Sequence, residues 1–427
     1  MRHRRFFGDP MNRLYFLAWL LVSVCVPALA DDGSSAPDRR RPQFEKDPGY
    51  YIFPMPYSLP GIGSGMAVVG AAMNIGGSNA DVLGFALTGD MLGGGLVTKD
   101  IHILPERLVL DVTVERFTRA TVTSYAQRGM NSGKNDFSYL DLGDMAVLGS
   151  RLTGTFLDRR IEVFAGNYSF AAQIERVRDT NRNVVLDVAD PQMNRRSVTV
   201  LGGRFDLTDD YADPRRGGRL EISRWYSPPK DSGDPDYYFT EYNASFYVPM
   251  GQRSTLAFNY FRSDAHVTRP GATDPAVVSQ SLGLDCATAA DPVKCQQIID
   301  NTIAANTHGT VGTFGGTSRL RSYPHDRYTG AHAVFYGSEF RWNLTEERVP
   351  FDLYIMKDIR TIWQLAFFYE AGSVADNTRE LGDTWRSSYG AGLRMVTASG
   401  LVFRADVATG KEGVQTSIIV GYSWEAL

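Results

Sequence analysis

The residues able to do chemistry in this 427-residue chain are few and scattered. His102, His266, His308, His325 and His332 stand apart, none at metal-ligand spacing, so no metal site is expected. The chain has no G-x-S-x-G elbow, no H-E-x-x-H helix and no phosphate-binding loop, so no catalytic residue is assigned and neither enzyme nor cofactor is expected. The densest group of reactive types is GGTSRLRSYP at 315–324, with Gly315, Gly316, two arginines and a Tyr-Pro stop. Arginine is a recognition residue: its planar guanidinium bridges carboxylates through charge-assisted hydrogen bonds, which lysine does less well. A bland loop has no use for that, so the elements around it must supply a partner.

Those elements begin with an export signal. A basic segment precedes an apolar run from Leu14 to Leu29, and Ala28-Leu29-Ala30 has the small-x-small pattern of a signal-peptidase site. Either Met1 or Met11 can start it. Residues 1–30 are thus read as a signal peptide. Residues 31–48, rich in Asp, Arg and Pro, are read as a short disordered lead-in. Cys286 and Cys295 are the only cysteines after the leader, an even number in an exported chain, so a disulfide between them is expected. Net charge is −4, which argues for no nucleic-acid partner. No later run of 18 apolar residues is available for a spanning helix.

Alternation replaces it. In 238–248 the even positions read Tyr, Thr, Tyr, Ala, Phe, Val, with Glu241, Asn243 and Ser245 opposite. In 401–407 Leu, Phe, Ala and Val face one way and Val402, Arg404 and Asp406 the other. Period two with charges on one face suits lipid outside and a wet lumen inside. The 42 glycines and 12% aromatics fit the same class. Sixteen segments carry the pattern: 50–57, 64–75, 81–90, 95–104, 107–122, 138–156, 161–176, 196–208, 217–226, 238–249, 252–263, 331–343, 361–373, 386–396, 400–408 and 416–424. The expected fold is all-β, a 16-stranded antiparallel transmembrane β-barrel over 49–427. Its short turns lie on the periplasmic side and its long loops, with 264–330 the longest, outside. Within that loop, Asp291-Pro292 reads as the N-cap of a short helix.

In this frame GGTSRLRSY, with Leu320, Arg321, Ser322 and Tyr323, resembles the sixth-loop motif of the BamA-like bacterial surface antigen superfamily. Tyr336-Gly337-Ser338-Glu339-Phe340-Arg341 resembles that family's G-x-E-x-R strand. Phe367-Phe368-Tyr369-Glu370-Ala371-Gly372 resembles its F-x-D-x-G strand, with Glu for Asp, and 209–218 its periplasmic turn into the ninth strand. Ser322 stands where the motif has glycine, and no room precedes the barrel for the family's POTRA modules, so a barrel-only member is expected.

The resemblance implies a loop folded into the lumen with its arginine on inner-wall acids. Strand parity points Glu339 and Glu370 inward, so Arg321 is expected to latch onto them; Arg341, Arg394 and Arg404 could instead balance those acids locally. The barrel closes where 50–57 meets 416–424. Pro54 and Pro56 lack N–H donors there, so a weak seam is expected, with Trp424 on the last strand. By resemblance the chain sits in the bacterial outer membrane, contacts its lipid, and helps insert or translocate protein or lipid, a nascent outer-membrane or secreted protein being the client. The alternatives are a passive pore or structural antigen, and a barrel anchoring a separate partner.

Overall fold

The computed structural model describes residues 42–44, 48–230, 232–345, 349–353, 356–397 and 401–424. The leader at 1–30 and most of the lead-in at 31–48 lie outside these residues.

The strands are β1 (Gly49–Leu59), β2 (Gly63–Met73), β3 (Asp81–Gly89), β4 (Leu92–Leu104), β5 (Leu108–Tyr125), β6 (Phe137–Phe156), β7 (Ile161–Arg178), β8 (Val184–Asp187) and β9 (Met193–Asp206). They continue with β10 (Gly217–Ser227), β11 (Asp236–Pro249), β12 (Ser254–Arg269), β13 (His332–Asn343), β14 (Val349–Leu353), β15 (Met356–Ala375), β16 (Arg386–Thr397), β17 (Val402–Gly410) and β18 (Gly413–Val420). β8 and β14 are short extensions laid on β7 and β15, while β7 pairs directly with β9 and β13 with β15. The other sixteen close one antiparallel barrel, β18 returning to β1. The sixteen-strand reading therefore holds. The two extensions were not anticipated, being too short for alternation to register.

Apolar side chains sheathe the outer face: Ile52, Val68, Leu148, Val163, Leu201, Phe367 and Tyr369 are all exposed. The neighbouring residues point inward and are buried, among them Tyr51, Phe164, Val200, Phe368 and Glu370. Among the described residues no helix is long and apolar enough to cross a membrane; the wall has only strands. Both ends of the barrel sequence, Gly49 and Val420, lie at the short-turn end.

The connection after β12 begins later than expected, because β12 runs on to Arg269. It holds two helices. The expected one, α2 (Pro292–His308), is capped by Asp291, whose side chain accepts from Val293 N and Lys294 N. An unexpected α1 (Pro275–Leu282) carries the same Asp-Pro signature, with Asp274 capping Ala276 N at 2.9 Å. A disulfide joins Cys295 of α2 to Cys286 in the segment between the helices. It steadies an apolar cluster in which Ile298 and Leu284 pack on Val177 of β7 and Val185 of β8. Removing it with Cys286→Ser/Cys295→Ser should cost this unit about 2–3 kcal/mol. The readout is faster protease cleavage within 275–308, and a rate identical to the parent's would show that packing alone holds the unit.

Candidate functional site

The loop after α2 descends into the barrel and turns at 314–323. Gly315 N donates to Arg319 O at 3.0 Å, Gly316 N to Tyr323 O at 2.8 Å and Tyr323 N to Leu320 O at 3.0 Å. Gly315 has φ 115°, and a Cβ there would lie 1.8 Å from Pro324 O, so glycine is obligatory. Ser322 is not among the positive-φ residues; the left-handed position is Leu320, at φ 53°. The missing motif glycine therefore costs the turn nothing. Ser322 N instead donates to Ser388 Oγ of β16 at 2.9 Å.

This turn carries Arg321 into the barrel and against the inner wall of β13, β15 and β17, with no side-chain exposure. Its backbone N and Nε each lie 2.9 Å from Glu370, Nη1 is 2.8 Å from Asp406, and Nη2 is 3.3 Å from Glu339. The guanidinium carbon also sits over the Phe368 ring, 3.3 Å from its centre. Burial alone would lower the Arg321 pKa, but the surrounding Glu370, Asp406 and Glu339 charges outweigh it and hold it above its ordinary value.

The latch and the local balance coexist. Glu339 also accepts from Arg341 Nε at 2.8 Å and from both terminal nitrogens of Arg394. Asp406 accepts from Arg404 Nη1 at 2.9 Å. Glu370 alone has no second arginine among its hydrogen bonds, and its other side-chain donor is Trp424 Nε1 at 3.0 Å. Asp406 was missed as a partner, although its inward parity was visible in 401–407. Arg319 points away from this group. It lies over Phe261, 3.9 Å from the ring centre, and burial lowers its pKa to about 10 against the pull of Glu241, Glu370 and Glu221.

Trp424 corrects an expectation. The last strand ends at Val420, not 424, and Gly421, at φ 108°, turns the chain inward. Tyr422, Ser423 and Trp424 are all buried inside. Tyr422 OH donates to Asp213 at 2.6 Å, Arg404 Nη1 to Ser423 Oγ at 2.7 Å, and Asn243 Nδ2 to Trp424 O at 2.9 Å. Tyr422 and Trp424 keep the apolar alternation of a strand, but their polar atoms find partners only inside. Gly337 is what admits the indole, since a Cβ there would lie 2.6 Å from Trp424 Cζ2. Gly372 likewise faces the Phe314 ring of the inserted loop, 3.0 Å from a Cβ at that position.

The seam is the consequence. β1 pairs β2 through every residue from Gly49↔Met73 to Leu59↔Gly63, but meets β18 at the single pair Ser58↔Ile418. Ser58 Oγ adds a bond to Thr416 O at 3.1 Å. The β1–β2 ladder passes unbroken through Pro54↔Val68 and Pro56↔Met66. A proline fits a ladder only where its nitrogen faces away from the partner, so both donor-less positions face β18. Below Ser58 the seam is bridged by side chains, Phe53 meeting Phe403 of β17 edge-on at 4.8 Å.

A second polar cluster closes the short-turn end. The turn at 207–216 folds over the mouth and brings Tyr211 against Arg159, Arg204 and Glu162. Arg159 binds Asp100 at 3.0 Å and Glu162 at 2.8 Å, and stacks over Phe44 of the N-terminal lead-in at 4.8 Å. Among the described residues no group of His, Cys, Asp and Glu is placed to hold a metal.

No family model and no curated protein matches the chain. Solved structures similar to it include BamA from Haemophilus ducreyi lacking POTRA domains 1–3, at TM-score 0.46 and 12% identity over 88% of this chain and 70% of that one. CdiB from Escherichia coli aligns at TM-score 0.49 and 12% identity over 87% and 62%, and CdiB from Acinetobacter baumannii at 0.47 and 9% over 88% and 66%. The chain thus spans under two thirds of either CdiB chain.

Proposed function

We propose that the chain is an outer-membrane barrel that helps insert or translocate protein or lipid, using the seam between β1 and β18 as its working edge. The observation that carries this reading is the one-pair seam. On that edge β1 turns the carbonyls of Pro54 and Pro56 toward β18 with no N–H beside them, acceptors that a donating strand can satisfy. In a bilayer such groups cannot stay unpaired without a large cost, so a client strand or a lipid defect at that edge is favoured. The apolar sheath and the leader support the location. Lipid and a nascent protein are the partners this reading requires. Depleting the protein and profiling outer-membrane proteins and lipids tests it: loss of a defined client class is expected, and an unchanged envelope counts against it.

The passive-pore alternative is disfavoured by the occupied lumen, where the inserted loop and the C-terminal residues meet. Conductance separates the two. Replacing residues 270–308 with a short Gly-Ser linker keeps the Arg321 turn but removes both helices. Single-channel conductance should rise several-fold over an almost closed parent. A parent that already conducts like an open porin favours the pore.

A further inference from the structure

Near the long-loop end, the inner faces of β5, β6 and β7 carry an apolar surface where a barrel lumen is ordinarily polar. The register shift in β6 between Gly143 and Ala146 produces its continuity. One extra residue there reverses the alternation, so Leu142 above the bulge and Val147 below it share the inner face. A cavity of about 340 Å³ lies between this wall and Leu282 of α1. Leu140, Leu142, Val147, Phe170, Ala172 and Ile174 line it. Phe170 alone leaves 44% of its surface exposed, which an empty wet lumen makes unfavourable.

One cation stands at the rim. Arg196 is the ladder partner of Phe170, so its side chain shares that inner face. Its Nε donates to Ser227 Oγ at 3.0 Å and its guanidinium sits 5.4 Å from the Tyr237 ring centre. Among the described residues it has no ion-pair partner, unlike the arginines around Glu339. Asn194 and Gln192 complete the rim as neutral polar groups.

We propose that this cavity binds a single-chain anionic amphiphile, a medium-chain fatty acid, with its tail on the Phe170–Ile174 wall and its carboxylate on Arg196. A mostly apolar pocket with one placed charge is the usual design of a small-ligand site, and this volume lies at the lower end of the roughly 300–1,000 Å³ such sites span. The strands that line it are paired with one another, β5 with β6, β6 with β7 and β7 with β9, so the wall gives no passage from the outer face. A free single-chain acid can enter it, whereas a two-chain bilayer lipid on the outer face has no path to it. The inference stands apart from the seam, since the cavity is lined by β5, β6, β7, β9 and α1 and not by β1 or β18.

The test is photolabelling of the full-length barrel, held in amphipol, with dodecanoic acid bearing a terminal diazirine. Saturable adducts are expected on Val147, Phe170 or Ala172. Arg196→Gln should weaken labelling about tenfold, the loss of one charge-assisted hydrogen bond. Ala172→Trp should abolish it by filling the cavity. The corresponding dodecanol probe should label as weakly as the acid does in Arg196→Gln. A heat-modifiable gel shift checks that each variant is folded, and Arg196→Gln alone decides the matter if Ala172→Trp is not. Adducts confined to the outward neighbours Leu148, Leu152 or Val163 would mean ordinary contact with the apolar sheath and overturn the proposal. Equal labelling by acid and alcohol, or no loss in Arg196→Gln, overturns it as well. So does a photocrosslink from position 172 to residues 31–41 of the chain itself, which would identify that segment as the occupant.

Discussion

Arg321→Met should cost the barrel about 3–5 kcal/mol, the penalty for stripping one partner from a buried ion pair. The loss will not fall evenly on the three acids. Glu339 keeps Arg341 and Arg394, and Asp406 keeps Arg404. Glu370 keeps only the Trp424 indole and the backbone N of residue 321. It becomes the uncompensated charge. Adding Glu370→Gln to Arg321→Met should therefore recover a large part of the loss, while Glu339→Gln added in its place should not. Arg321→Lys should recover little, because one ammonium cannot span Glu370 and Asp406 as the planar fork does. Urea unfolding followed by gel mobility measures all four variants, and trypsin cleavage within 315–327 reports whether the loop has left the lumen. An unchanged midpoint for Arg321→Met would remove the latch from the account of this fold.

Much of this was legible because a barrel wall forces period two on every strand that has lipid on one side and a filled lumen on the other. Parity alone aimed Glu339 and Glu370 inward. It also aimed Asp406 inward, yet no motif drew attention to it as a third partner. The inward turn after Val420 was not legible. Tyr422 and Trp424 continue the alternation of a last strand, and their partners Asp213 and Glu370 come from segments far away in sequence. α1 was readable and unread: Asp274-Pro275 repeats the Asp291-Pro292 signature. The bulge in β6 was readable and unread too: Leu140 and Leu142 keep to even positions while Met145 and Val147 keep to odd ones, and that switch of parity marks the extra residue.

The seam supports the other large prediction, that Pro54→Val/Pro56→Val will zip the barrel shut. Ser58 pairs with Ile418. Continued downwards in register, Val420 would meet Pro56, Tyr422 would meet Pro54 and Trp424 would meet Ile52. The two positions that should next donate across the seam are thus both prolines. Each missing bond forfeits roughly 1 kcal/mol in water, and more in lipid, where no solvent replaces it. Against that deficit the last residues find better partners inside, Tyr422 on Asp213 and Trp424 on Glu370. Restoring two donors shifts the balance toward the wall. Amide exchange at Val420 and Tyr422 should slow at least tenfold in the double variant, and Trp424 should leave Glu370, changing its fluorescence. If the seam is the working edge, the zipped barrel will be as stable as the parent or more so, yet fail to support envelope assembly. A reversible lock checks the same idea independently: Ser58→Cys/Ile418→Cys should block activity when oxidised and release it with reductant. Full activity in both the zipped and the oxidised barrels would leave a weak seam with no part in the function.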